Sequence, residues 1–312
     1  MSRRRATTRA GVTMTAVIEV EGLTKHFGKV NAVEDASFSI QKGTITGFLG
    51  PNGSGKTTTL RMIVGLVRPT AGRARILGGS YGDLKSPITR VGTLLDSAGF
   101  HPGRSGRNAL RVVAASAGIP YARVEEVLEL VELEGAAKRA VKKYSTGMKQ
   151  RLALACALLG DPEVLLLDEP ANGLDPEGIR WLRGFLRARA EEGRTVLVSS
   201  HVLAEVEQTV DNVLIINQGH ILAQGPIAEL ARGTAPVVRC RVDQAEKLEA
   251  ALIASGASVN RLDDALAIRG PNSATVGKIA LAQGVAMVEL FTEQASLEEM
   301  FLSMTGTRKG GS

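Results

Sequence analysis

Gly50-Pro51-Asn52-Gly53-Ser54-Gly55-Lys56-Thr57-Thr58 follows the β-like stretch Thr44 to Leu49 and precedes Leu60, Ile63, Val64 and Val67, which recur at helical spacing. Strand, glycine loop and helix therefore stand in immediate succession, and this is the context in which G-x4-G-K-T carries meaning. The glycines let successive backbone N–H groups turn inward on phosphate oxygens. The helix beginning at Lys56 adds the positive end of its dipole. Gly50, Pro51, Asn52, Gly53, Ser54 and Gly55 form the expected cradle; Lys56 is placed to reach β- and γ-phosphates, Thr57 to hold Mg2+ through its hydroxyl, and Thr58 to donate to an α-phosphate. The plainer alternative, a glycine-rich turn with an incidental lysine, leaves both flanks unexplained.

A second signal lies downstream. Glu163 to Leu167 ends in a continuous apolar run, which reads as a buried parallel strand, and it leads into Asp168-Glu169-Pro170. At a strand end Asp168 is suited to bind Mg2+, directly or through water, and Glu169 to orient and polarise an attacking water. Read alone, the pair could equally be exposed acids capping the next turn. The upstream glycine loop favours the chemical reading.

Around these motifs the sequence is expected to alternate strands and helices. Val17 to Val20 and Ala36 to Ile40 read as strands; Ser105 to Lys143 is more helical. Ser145 to Gly160 reads as a helix, followed by helical patterns at Glu177 to Ala190 and Val202 to Val210 and by strands at Thr195 to Val198 and Asn212 to Asn217. Gly225-Pro226 begins a boundary region, and Gly233 to Pro236 reads as a linker. Beyond it the order becomes strand (Val237 to Val242), helix (Glu246 to Ile253), strand (Ser258 to Leu262), strand (Leu266 to Arg269), helix (Ala274 to Ala282), strand (Val285 to Phe291), a split βαβ pattern. A closing helix, Leu297 to Met304, would bring Leu297, Met300, Phe301 and Met304 onto one face. The expected organisation is thus a basic, disordered tail over 1–15, an α/β nucleotide-binding domain over 16–232 with a helical insertion over about 97–145, a smaller α+β domain over 236–305 and a tail over 306–312. The smaller domain reads as a packing and dimer-support module in preference to a regulatory ligand site, since no convergent polar cluster stands out in it.

Composition bounds what this organisation can do. The chain has 312 residues, and its longest nearly uninterrupted apolar stretch, Leu152 to Gly160, is about half of what a bilayer span requires. The net charge of +6 suggests nucleic acid, but Arg3, Arg4, Arg5 and Arg9 supply +4 of it from a tail without acids, leaving +2 for the body. That tail lacks the apolar core of a secretory signal, and Met14 is an alternative start. Cys156 and Cys240 offer no metal spacing and no disulfide framework.

Between the two phosphate-site motifs stands Tyr144-Ser145-Thr146-Gly147-Met148-Lys149-Gln150-Arg151, which resembles the signature of ABC-type ATPases, with Thr146 and Met148 replacing the usual Gly and Gln. Asn172-Gly173-Leu174-Asp175 resembles that family's D-loop and Ser199-Ser200-His201 its switch-histidine loop, all in the family's order over Ala16 to Glu229. The resemblance implies ATP and Mg2+ as ligands and two such domains facing head to tail, as a homodimer or with a paired domain. Ser145 and Gly147 would then donate to the γ-phosphate of the partner's nucleotide, and His201 would contact the γ-phosphate of its own. Phe27 sits where the family stacks an aromatic ring on adenine, though a lone Phe in a β-turn can be structural. Where the family carries a glutamine that touches Mg2+, this chain has Asp96, one methylene shorter and anionic, able to ligate through water.

The stretch Ser97 to Asn108 and the closing Leu297 to Gly306 resemble the bacitracin- and daunorubicin-export branch. This implies an ATP-hydrolysing subunit at the cytoplasmic face of the membrane, bound to a separate permease by a groove between the helical insertion and the Asp96 loop, and exporting a drug, antibiotic or amphipathic compound. No nucleic-acid partner is expected. The alternative is an ABC-type ATPase acting on nucleic acid or the ribosome, which the basic tail favours and the lack of a long coiled-coil insertion or second glycine loop disfavours. A simple kinase or GTPase leaves the Ser145 motif and His201 without purpose.

Overall fold

The computed structural model describes residues 16–95, 99–202, 208–232, 237–262 and 265–293. Both tails, Asp96, the proposed linker, the Leu297 to Met304 pattern and most of the Val202 to Val210 pattern lie outside the described residues. The chain divides into two compact units between Gln224 and Gly225.

In the first unit, β1 (Ala16–Phe27), β2 (Val30–Gln41) and β4 (Ala71–Ile76) make an antiparallel sheet in the order β2-β1-β4. Ile18 of β1 is paired with Ile40 on one side and Ile76 on the other, so a row of branched side chains faces inward. A second sheet runs β5 (Val91–Leu94), β6 (Val164–Leu167), β7 (Thr195–Ser200), β3 (Ile45–Leu49), β8 (Asn212–Asn217), β9 (His220–Pro226), and its pairs from β5 through β8 are parallel. Strands β3, β6 and β7 are buried along their whole length, as strands covered on both faces are. The two sheets share one core: Phe38 meets Phe48 at 6.0 Å between ring centroids, and Leu60 and Ile63 of α1 (Lys56–Ile63) pack into the same cluster.

Helices α2 (Gly106–Ser116) and α3 (Ala122–Leu130) form the helical insertion, against which α4 (Thr146–Leu158) packs on one side while β5 lines its other. That double contact explains why Leu152, Ala153, Leu154, Ala155, Ala157 and Leu158 are all buried although they span most of the helix circumference. Arg151 fastens the arrangement. Its guanidinium lies 4.2 Å from the Trp181 ring centroid on α5 (Pro176–Glu191) and pairs with Glu132 after α3.

β4, β9 and the short α6 (Ile227–Arg232) have no counterpart in the sequence reading. β4 is an edge strand whose residues are exposed or half-buried except Ile76, and β9 alternates exposed with half-buried positions, so neither carries an apolar period.

The second unit runs β10 (Val237–Val242), α7 (Ala245–Ala254), β11 (Ser258–Leu262), β12 (Ala265–Arg269), α8 (Ser273–Ala282), β13 (Met287–Glu293), in an antiparallel sheet ordered β11-β12-β10-β13. This is the β-α-β-β-α-β order. Val238, Cys240, Leu266 and Ile268 from one sheet face pack with Leu248, Leu252, Val276 and Ala280 from the two helices.

Candidate functional site

The phosphate loop leaves β3 where that strand lies between β7 and β8. Gly55 caps α1 with φ +110°, a left-handed conformation, and a Cβ there would lie 2.5 Å from the Ala32 carbonyl oxygen. At Gly50 a Cβ would lie 2.3 Å from the Ile216 carbonyl oxygen. Neighbouring backbone thus closes on the loop from two sides. Gly219 N–H donates to the Ser54 carbonyl at 2.9 Å and fixes the loop's back. Pro51 is half-buried, and Asn52 and Gly53 form its exposed rim. Lys56 is buried and folds over the loop, its Nζ donating to the carbonyls of Gly50 at 2.7 Å and Pro51 at 3.2 Å. Thr58 lies half-buried on the first turn of α1.

Asp168 follows β6, its N–H donating to the Leu94 carbonyl of β5 at 2.7 Å. The Thr57 hydroxyl donates to one Asp168 carboxylate oxygen at 2.6 Å, and the fully buried Ser199 hydroxyl donates to the other at 2.6 Å. Ser199 Oγ in turn accepts the Glu169 N–H at 2.8 Å. Glu169 has φ +48°, unusual for a residue with a side chain. Its carboxylate stands 3.3 Å from Lys56 Nζ and 2.8 Å from His201 Nδ1. Oε1, the oxygen toward Lys56, is buried and accepts no hydrogen bond, so that contact is an ion pair without hydrogen-bond alignment. The ends of β3, β6 and β7 therefore gather Lys56, Thr57, Asp168, Glu169, Ser199 and His201 at one edge of a parallel sheet, the edge at which open α/β sheets bind ligands.

Other predicted site residues lie elsewhere. Ser145 caps α4, its hydroxyl accepting the Met148 N–H at 3.2 Å, and Gly147 stands on the helix's first turn. Among the described residues no hydrogen bond or ion pair joins Ser145 or Gly147 to the phosphate loop. Gly173, at φ +76°, lies against the same helix start, where a Cβ would come 2.5 Å from Thr146 Cγ2. Phe27 ends β1 with half its surface exposed, and Lys25 Nζ stands 4.9 Å from its ring centroid. Burial pushes the Tyr144 phenol above its ordinary pKa, with Arg139 pulling the other way; its hydroxyl donates to the Ala136 carbonyl at 2.9 Å and serves packing. The sequence reading gave no role to Ser199 or Gln150. Both sat within quoted motifs, and the available signal was a small polar residue closing an apolar strand and an amide in an apolar helix.

The arrangement is suited to bound phosphate and a hard cation. Ser54 Oγ is buried within the loop without a hydrogen-bond partner, a donor held ready at the cradle. Thr57 and Asp168 offer hydroxyl and carboxylate oxygens, and among the described residues no cluster of three or more His, Cys, Asp or Glu competes as a metal cage.

Fold and site together define a P-loop NTPase with an inserted helical subdomain. The ABC transporter family matches residues 33–172, and a domain family of unknown function matches 236–298. The chain is 42% identical to the bacitracin transport ATP-binding protein BcrA of Bacillus licheniformis, over 70% of this chain and 72% of that protein. It is 32% identical to the Nod factor export ATP-binding protein I of Ralstonia nicotianae over 95% and 96% of the two chains. A solved ATP-binding subunit of an ABC transporter superposes with TM-score 0.63 at 28% identity, covering 70% of this chain and 92% of that one. The chain belongs to the ABC transporter family, as its nucleotide-binding, ATP-hydrolysing subunit.

Proposed function

We propose that this chain energises export of an antibiotic, drug or similarly amphipathic compound through a separate membrane-spanning subunit, at the cytoplasmic face of the membrane. The observation that carries the ATPase chemistry is the bonded chain Thr57–Asp168–Ser199–Glu169–His201 beside the buried Lys56. Similarity to proteins named for bacitracin transport and Nod factor export supports the direction and the class of cargo. Among the described residues no helix is long and apolar enough to cross a membrane, and in this reading the span belongs to a separate subunit.

In this reading Gly50 to Gly55 and Thr58 hold the phosphates through N–H and hydroxyl donors, Lys56 neutralises the β- and γ-phosphates, and Phe27 stacks on the base. Thr57 and Asp168 would hold Mg2+, and Asp96 would be a further acidic group for it. When bound, the cation supplies Lewis-acid stabilisation of charge on the phosphate oxygens. Glu169 orients a water and accepts proton density from it as its oxygen attacks the γ-phosphorus and the bond to the β-phosphate oxygen breaks, giving ADP and phosphate. His201, beside the Glu169 carboxylate, would contact the γ-phosphate. Ser145 and Gly147, at the N-terminus of α4, donate to the nucleotide of a second copy or a paired domain, so nucleotide shifts the pair from open to closed.

The test is Glu169→Gln. It should bind ATP with wild-type affinity, lose turnover by at least about a hundredfold and accumulate an ATP-bound dimer on size exclusion with Mg2+. A monomer at saturating ATP would sink the composite site. Affinity capture from mildly solubilised native membranes should bring down a multi-spanning protein in comparable amount; ribosomes or nucleic acid in its place would overturn the transport role.

A further inference from the structure

The Glu169 carbonyl oxygen accepts two hydrogen bonds, from the Asn172 N–H at 3.1 Å and from the side-chain amide of Gln150 at 3.3 Å. Gln150 is 6% exposed and sits on α4 among apolar residues. A buried primary amide loses rotamer freedom and solvation, and an apolar residue of similar size would fill the space. The bond it makes falls on Glu169, which of the described acidic residues of the site is the one with left-handed backbone. Local sequence opposes that conformation twice: Glu169 has a Cβ, and it precedes Pro170, which pushes the residue before it toward extended backbone. Surrounding contacts must hold it there, and they are the two donors on its carbonyl and Ser199 on its N–H.

We propose that Gln150 is a positioning residue for ATP hydrolysis: by holding the Glu169 carbonyl it fixes the turn that aims the carboxylate between Lys56 and His201. Gln150 rides on the helix whose first turn bears Ser145 and Gly147, and Thr146 of the same turn packs on Gly173, four residues past Glu169. Movement of α4 on engaging a nucleotide therefore reaches Glu169 by two contacts. The inference rests on the reading of Glu169 as the water-polarising residue.

The experiment compares full-length wild type with Gln150→Leu, Gln150→Glu and Glu169→Gln, measuring ATP affinity by calorimetry, kcat at saturating ATP and Mg2+, and thermal unfolding. Gln150→Leu should bind ATP within about twofold of wild type while kcat falls about tenfold to a hundredfold, the scale of a small misplacement of a reacting group. Gln150→Glu, which sets an acceptor against the carbonyl, should be slower still. If the leucine variant does not fold, Gln150→Met takes its place. Wild-type kcat in a folded Gln150→Leu, or loss of ATP affinity in proportion to kcat, overturns the inference. Wild-type turnover by Glu169→Gln would overturn the underlying reading and the inference with it, whereas an inactive Glu169→Gln beside a fully active Gln150→Leu would overturn the inference alone.

Discussion

Lys56, Ser54, Thr59, Gln150, Ser199 and Ser200 are all buried in the first unit, whereas the described buried core of the second unit is apolar apart from the thiol of Cys240. Both units are sheets with helices laid against them. A buried polar group costs free energy unless it is matched; Lys56, Gln150 and Ser199 are matched around the ends of β3, β6 and β7, while Ser54 Oγ is not. Buried polar side chains in the first unit gather around the phosphate loop, and the cluster that fills the second unit is built from apolar side chains and one thiol. Lys56→Ala tests the first half most severely. It removes the buried cation and leaves Glu169 without its ion pair, so ATP affinity should fall at least about a hundredfold by calorimetry. High affinity retained there would mean the phosphate cradle is elsewhere.

Leu252→Ala tests the other half. Leu252 of α7 is fully buried against the β11-β12-β10-β13 sheet, and its truncation should destabilise that unit by about 2–5 kcal/mol, read as faster amide exchange in β10 to β13. ATP affinity should stay within about twofold of wild type. A large loss of affinity would show that the packing module is coupled to the site and would break the comparison.

The same contrast governs what the sequence discloses. In the second unit the strands over Val237–Val242 and Ser258–Leu262 coincide with the sequence reading, although Ser258–Leu262 lies at the sheet edge and holds no buried residue. The phosphate loop and Asp168 were read from spacing and flanking elements, and His201 only through the family resemblance. The left-handed turn at Glu169, the Ser199 link between Asp168 and Glu169, and the Gln150 bond were not, since they arise from strands and a helix brought together across intervals of 19 to 31 residues. β4 and β9 escaped for a different reason: Arg73 and Arg75 interrupt the first, and Gln224, Gly225 and Pro226 close the second, so neither presents an apolar run.

Ser199→Ala against Ser200→Ala sharpens the argument between neighbours. Ser199 serves Asp168 and the Glu169 N–H, whereas the Ser200 hydroxyl exchanges hydrogen bonds with Val202 only two residues on. Removing Ser199 leaves a buried N–H unpaired and should cost about 1–3 kcal/mol together with a weaker Mg2+ dependence of turnover. Ser200→Ala should cost about 0.5–1.5 kcal/mol and leave the Mg2+ dependence unchanged. Equal effects on both readouts would mean the Asp168–Ser199–Glu169 chain has no special standing.

The smallest expected effect concerns Cys156 on α4, a thiol with no role in the site. Burial pushes its pKa up to about 11, although its surface is not wholly closed. A raised thiol pKa means the folded state holds the proton more tightly than the unfolded chain. The stability this contributes is complete below the unfolded value near 9 and is lost as pH climbs through the interval to about 11. Partial exposure limits the loss to at most about 2 kcal/mol. Urea midpoints at pH 8.5 and 11 should therefore fall further for wild type than for Cys156→Ala, since alanine has no proton to lose while the buried tyrosines titrate in both. At pH 8 only about one thiol in a thousand would be ionised, so native Cys156 should resist iodoacetamide and react once unfolded. Rapid labelling in the folded chain would mean that α4 opens locally, and the helix that carries Gln150 would then be too loose to hold Glu169 in place.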